Sequence, residues 1–299
     1  MGISVIKQLV CVSLVWVGVT ACARHSDGGE SESTSDRQRA AQPEPYLQRL
    51  AAFRTKLLRT GPAPQEYSVS APPLGVQEIS YQSDGLALKA WVASPPAPGG
   101  KKLPGLVYFH GGFAFGADDF DVARPFLDAG FVVMCPMLRG ENGNPGAYEM
   151  FLGEVRDAQA AVTWLGQQPY VDASRLYTFG HSAGGVVSAL LSLHELSIRH
   201  GGSAGGLYGP QLFDWMKKDV PFSLDDPNER GFRVLVGNIA AMKHRHYALV
   251  GKGDPGQAVE AASSESKAGL LEIIPVDGNH QTSLRPAVRA YLDVIKKNP

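Results

Sequence analysis

Cysteine is scarce. Three in 299 residues is an odd number and too few for a disulfide framework, and a chain of this length buries enough core to fold without one. An excess of charge is missing too. The 28 Lys and Arg stand against 29 Asp and Glu, a formal net charge of −1, and the mixed signs leave no electrostatic footprint for nucleic acid or a highly charged polymer. No apolar run is long enough to cross a bilayer comfortably. Leu9–Val19 is the apolar stretch nearest the N-terminus, well short of the roughly 20 residues a spanning helix needs. No internal repeat is evident, which sets aside repeat architectures. What is left is a chain suited to one α/β domain with a tail.

The tail has its own pattern. Lys7 precedes the Leu9–Val19 run, and small residues follow it up to Cys22, which is the order of an export signal. Val19-Thr20-Ala21-Cys22 resembles the lipobox of bacterial lipoproteins. That resemblance implies removal of residues 1–21 and a lipid on the Cys22 sulfur. Ala23 rather than Asp after the cysteine implies, by the same analogy, the periplasmic side of an outer membrane. An ordinary secretory signal cut nearby is the plainer alternative. Residues 22–43 are rich in Ser, Asp, Glu, Gly, Arg and Gln with almost nothing to bury, so they are expected to form a disordered tether ahead of a domain over 44–299. On this reading Cys11 is lost, Cys22 is acylated, and Cys135, in the apolar run Phe131–Met137, is a buried core thiol.

Within the domain, apolar spacing predicts an amphipathic helix over Glu44–Arg59, ended by Gly61-Pro62. Val76–Tyr81 and Leu86–Ala93 alternate as strands, with Asp84-Gly85 as a hairpin signal between them. Leu103–Phe109 is continuously apolar, as strands buried on both faces are. Helix and strand then alternate: helix Phe120–Ala129, strand Phe131–Pro136, helix Ala147–Gln167, strand Arg175–Phe179 and helix Val186–Leu196. The pattern resumes with strand Tyr247–Val250, helix Pro255–Lys267, strand Leu270–Pro275 and helix Leu284–Lys297. Alternation of this kind means a mostly parallel sheet covered on both faces. His200–Asn228, with its GGSAGG run, resists such a reading; a cap over a site could lie there.

The chemistry centres on Gly180-His181-Ser182-Ala183-Gly184-Gly185. A chain turning sharply from strand to helix strains its middle residue, and glycines on either side avoid the resulting clashes. Such a turn exposes the Ser182 hydroxyl and aims the Ala183 N–H at a developing oxyanion. A bare glycine-rich turn is the bland alternative, and the neighbouring strand and helix weigh against it. Serine needs a general base and a group to orient that base. His280 follows the last predicted strand and can fold back over the sheet edge. Asp254 follows Tyr247–Val250 and lies between serine and histidine in sequence. Asp277 is the rival acid, but so near His280 it more naturally shapes the turn, and Asp157 reads as a structural helix carboxylate. Among the other histidines, His194 lies too far along the elbow helix, His244 and His246 suit surface or core packing, and His181 is the variable elbow position. A second oxyanion donor is expected from Gly112 or Phe113 in Phe109-His110-Gly111-Gly112-Phe113, with His110 holding that loop.

Together His110-Gly111-Gly112, Arg139-Gly140, Gly180 to Gly185, Gly251 to Asp254 and Gly278-Asn279-His280 resemble the α/β-hydrolase fold over Leu103–Lys297, in its prolyl-oligopeptidase and dienelactone-hydrolase-like branch. The resemblance implies a sheet of about eight strands and a triad of Ser182, Asp254 and His280. Phe113 departs from the third glycine of lipase-type loops, and dienelactone hydrolases carry Cys where Ser182 stands. The stretch between Cys22 and Val76 is too short for the propeller of the oligopeptidases. The expectation is therefore a serine hydrolase of carboxylic esters needing no cofactor and no metal. Its substrate would be a small ester or short peptide, with membrane contact through Cys22 alone. An exported aminopeptidase or amidase and a non-catalytic binding lipoprotein are the alternatives.

Overall fold

The computed structural model describes residues 45–96, 100–254 and 269–299. The export signal, the tether, Cys22 and the helix expected over Pro255–Lys267 lie outside these residues.

Eight strands form one sheet: β1 (Val76–Ser83), β2 (Leu86–Ala93), β3 (Leu103–Phe109), β4 (Val132–Pro136), β5 (Val171–His181), β6 (His200–Ala204), β7 (Arg245–Gly253) and β8 (Leu271–Asn279). Their order is β1-β2-β4-β3-β5-β6-β7-β8. The β1–β2 and β2–β4 pairs are antiparallel, and every pair from β4 to β8 is parallel. Asp84 and Gly85 both take positive φ, 47° and 78°, as a two-residue hairpin turn requires.

Strand alternation divides the core in two. Val107, Phe109, Val132 and Met134 face a cluster that includes α3 (Gly153–Gly166) and α4 (Ala183–Leu191). Leu106, Tyr108, Val133 and Cys135 face the other cluster, under α2 (Ala117–Asp128) and the closing helix Leu284–Lys297. Beyond the partly buried Leu103, the β3 and β4 side chains are thereby buried on one side or the other, which is why those strands read as unbroken apolar runs. Cys135 is fully buried and burial pushes its thiol pKa up, the state of an inert core thiol.

Three departures from the sequence pattern have identifiable causes. The first helix, α1 (Tyr46–Ala52), stops well before Arg59. Beyond it the chain runs as an irregular strap, because the Thr55 hydroxyl and Lys56 N–H both bond the Glu229 carboxylate and Leu57 bridges to Phe222. Helix α3 starts at Gly153, not Ala147, since Met150 and Phe151 sit at φ 53° and 72° with their side chains buried. β6 lies in the GGSAGG region, where glycine conceals a strand. A Cβ on Gly202 would meet the Tyr291 ring at 2.6 Å, and one on Gly201 would meet Thr178 and His246 at 2.8 and 2.9 Å. After β6, residues 205–244 carry only short helical segments: α5 (Leu212–Trp215), α6 (Pro227–Gly231) and two 3-10 turns, Lys217–Asp219 and Ile239–Ala241.

Candidate active site

Ser182 lies between β5 and α4 with φ 53° and ψ −115°, a strained conformation for a residue with a side chain. Close backbone approach enforces it. A Cβ on Gly180 would collide with the Gly184 carbonyl, and one on Gly184 with the Phe109 carbonyl. The Ser182 N–H donates to the Ala204 carbonyl on β6 at 3.0 Å, which fixes the elbow to its neighbour strand.

His280 follows β8 in a turn organised by Asn279. The Asn279 Oδ1 accepts the N–H groups of Gln281 and Thr282 at 3.1 and 3.0 Å. Gly278 has φ 111°, and a Cβ there would meet the Ser283 nitrogen at 2.6 Å. The turn brings His280 Nε2 to 2.9 Å from Ser182 Oγ and Nδ1 to 3.1 Å from Asp254 Oδ2. A carboxylate only accepts, so Nδ1 carries the proton and Nε2 accepts from the serine hydroxyl. The Asp254 side chain is 0% exposed and that of His280 25%: the acid is sealed in while the base keeps a face open. Asp254 reaches this position just past β7, its N–H on the Gly251 carbonyl at 2.9 Å. The three side chains picked out in sequence are thus brought together. Asp277 instead pairs with Lys252 at 2.6 Å on the surface, and Asp157 is locked to Arg139 at 2.8 Å inside the fold.

Ala183 opens α4, and the next N–H, that of Gly184, bonds the His110 carbonyl at 3.0 Å. This ties the helix start to the loop that holds Gly112 (φ 71°). The Phe113 N–H is already engaged, donating to Gln65 Oε1 at 2.9 Å. His110 sits behind the loop with Nε2 on Glu141 at 3.1 Å and Nδ1 on the Gly111 carbonyl at 3.1 Å. Both partners accept, so both ring nitrogens donate and the ring is an imidazolium. Burial alone would lower its pKa, but the Glu141 charge and hydrogen bond, with Asp119 and the Gly111 carbonyl, raise it to about 9.

Sequence reasoning missed three contributors. His181 donates from Nε2 to the His280 carbonyl at 3.0 Å and lies tilted over its ring at 5.2 Å; burial holds its own pKa down. Gly205, at φ 59°, leaves room where a Cβ would stand 2.9 Å from both Asp254 Oδ2 and His280 Nδ1. Gln65 is the third. The only signals available were His181's place inside the elbow and the glycine run around 205. A second serine–histidine contact, Ser203 Oγ to His246 Nε2 at 2.7 Å, has both side chains fully buried and no access for a substrate. His194 packs edge-on to Tyr46, and His244 accepts the Leu196 N–H.

A water-sized hollow of about 10 Å³ lies under the loop, lined by Gly112, Phe113, Ala183, Val187 and Glu154. The Glu154 Oε1 accepts the Glu149 N–H at 2.7 Å, whereas Oε2 is buried without a partner. Burial raises its pKa to about 7. A far larger cavity of about 580 Å³ lies apart from Ser182, between α1, α3 and Phe232. Among the described residues no cluster of three or more His, Cys, Asp or Glu could hold a metal ion.

Residues 84–196 match the X-Pro dipeptidyl-peptidase (S15) family, a span that includes the loop at His110 and the elbow but ends before Asp254 and His280. The chain is 37% identical over 121 residues to the uncharacterized peptidase YtmA of Bacillus subtilis, covering 38% of this chain and 44% of that protein. It is 31% identical over 135 residues to the uncharacterized protein Rv2307c of Mycobacterium tuberculosis, covering 45% of this chain and 46% of that one. The chain therefore spans less than half the length of these curated relatives. Among solved structures it resembles dipeptidyl peptidase 4 of Porphyromonas gingivalis (TM-score 0.63, 19% identity, 75% of this chain and 35% of that one). It also resembles a puromycin-hydrolyzing peptidase of M. tuberculosis (0.64, 20%, 75% and 40%) and an esterase of Pyrobaculum calidifontis (0.58, 19%, 76% and 84%). These likenesses establish the α/β-hydrolase fold.

Proposed function

We propose that this chain is a serine hydrolase that cleaves carboxylic esters through an acyl-enzyme on Ser182. The observation that carries the reading is the hydrogen-bonded chain from Ser182 Oγ through His280 to the buried Asp254. His280 Nε2 takes the hydroxyl proton as Oγ attacks the acyl carbon, and Asp254 stabilises the imidazolium that forms. The N–H groups of Ala183 and the Gly112–Phe113 loop hold the tetrahedral oxyanion. His280 then gives its proton to the leaving alkoxide, and in the second half-reaction deprotonates the water that releases the acid and restores Ser182. No step calls on a metal or cofactor.

The S15 match and the peptidase name of the B. subtilis relative support a second reading, cleavage of short peptides or aminoacyl amides. Esters are the smaller claim on the same machinery, because an alkoxide leaves more readily than an amine, which must be protonated as it departs. Comparing kcat/KM for p-nitrophenyl esters and aminoacyl p-nitroanilides decides between them. Faster ester turnover, lost in Ser182→Ala, is expected; faster anilide turnover would replace the ester reading with the peptidase one.

Export and anchoring through Cys22 belong to the same proposal and rest on Val19-Thr20-Ala21-Cys22 and the polar residues after it. Full-length protein expressed in a Gram-negative host should fractionate with outer membranes, and Cys22→Ser should release it. An unchanged distribution in the variant would remove the anchor from the account.

A further inference from the structure

The strap that follows α1 reaches the loop meant to hold the oxyanion. It is pinned at three points: the Leu58 N–H donates to the Pro221 carbonyl at 2.7 Å, the Tyr148 N–H donates to the Gly61 carbonyl at 2.9 Å, and the Ala63 N–H donates to the Gly140 carbonyl at 3.0 Å. Gln65 follows two residues after the last of these anchors. Its backbone is therefore delivered to one place, while the residue itself stays exposed. From there its Oε1 accepts the Phe113 N–H at 2.9 Å. The carboxamide lies so close over Gly112 that a Cβ on that glycine would collide with Oε1.

The rest of the loop is held from below and beyond. His110 is fixed by Glu141, and Phe115 exchanges two hydrogen bonds with Asn142, both at 2.8 Å. Between these supports, Gly112 and Phe113 could offer either N–H to a reacting carbonyl. Gln65 removes that freedom, because its oxygen occupies the Phe113 N–H. Building on the serine-hydrolase reading, we infer that Gln65 is a positioning residue. It holds the Phe113 N–H out of the reaction and sets the Gly112 N–H, beside that of Ala183, as the second oxyanion donor.

A residue acting this way affects the transition state more than substrate binding, since the oxyanion exists only there. In Gln65→Met, which keeps side-chain length but puts a methyl group in place of Oε1 and leaves only a weakly accepting thioether, kcat per active site should fall about 10- to 100-fold. That is less than the 10²- to 10³-fold loss from deleting an oxyanion donor outright. The KM for p-nitrophenyl butyrate should change little, and affinity for an alkyl trifluoromethyl ketone, which forms a tetrahedral adduct, should fall in proportion to kcat. Sites are counted by titration with a fluorophosphonate, so a misfolded fraction does not enter kcat. Gln65→Ser provides a second variant, and Glu66→Ala, next on the strap, should stay within about twofold of wild type. A kcat per titrated site within threefold of wild type in both Gln65 variants would overturn the assignment. So would a loss carried by KM alone. Wild-type protein with no fluorophosphonate adduct would remove the hydrolase reading and this one with it, whereas normal labelling with unaffected Gln65 variants removes only this one.

Discussion

Two regions meet around Ser182 and are held by different means. At the sheet edge, Ser182, Asp254 and His280 stand on turns after β5, β7 and β8, and glycines let backbone and side chains approach too closely for any Cβ. The strap and residues 205–244 are instead tied by side chains converging on Arg233, which is fully buried. Its guanidinium bonds Glu229 at 2.7 Å, the Glu149 carbonyl at 3.0 Å and Thr55 at 2.9 Å, and lies 3.9 Å over the Phe222 ring. The contrast teaches where each kind of damage should appear. Substitutions at the sheet edge should reduce turnover and spare the fold, and substitutions at the Arg233 hub should do the reverse.

Asp254→Asn should show the sheet-edge behaviour most strongly. It leaves the volume unchanged but can favour the wrong imidazole tautomer, so kcat should fall by about 10⁴-fold with the melting temperature nearly unchanged. A loss below tenfold would point to another orienting acid. Gly205→Ala comes next. The added methyl must displace Asp254 or His280, and a misplacement of about 1 Å can lower turnover by about 10²-fold. Unchanged kinetics would mean that the gap behind the pair has slack.

Arg233→Met inverts the pattern. Breaking a buried ion pair leaves Glu229 uncompensated and should lower stability by about 3 to 5 kcal/mol, read by urea denaturation, with kcat per titrated site within a few fold of wild type. Pairing it with Glu229→Leu should recover part of the loss. Large kinetic damage without destabilisation would break the comparison. The smallest effect is expected at Glu154, where the two regions join. Its folded pKa is raised to about 7 from an ordinary carboxylate value near 4.3. The folded state is therefore penalised progressively as pH rises from about 4.3 through 7. Relative to wild type, Glu154→Gln should gain roughly 1 to 3 kcal/mol between pH 5 and pH 8. The difference between the two pH values is what counts, and a flat difference would place Glu154 outside this linkage.

The same division governs what could be read from sequence. The elbow, the Asp84-Gly85 hairpin and the apolar β3 are written in neighbouring residues, and the chain order serine, acid, histidine picked out the three side chains that meet at the sheet edge. The strap is not written locally. Apolar spacing continues helically to Leu58, but Thr55, Lys56 and Leu57 are claimed by Glu229 and Phe222, far along the chain. β6 was hidden because glycine propensity speaks against a strand, while Tyr291 demands that very absence of side chain. Gln65 and His181 act on partners 48 and 99 residues away, and no local pattern announces such contacts.

The central claim is that Ser182 is activated by His280 and Asp254. Intact-mass analysis of the purified protein after fluorophosphonate treatment, beside Ser182→Ala, tests it most directly. The account predicts a single covalent adduct on wild type and none on the variant. A folded wild-type protein that gains no mass, or a variant that gains the same mass, would contradict it.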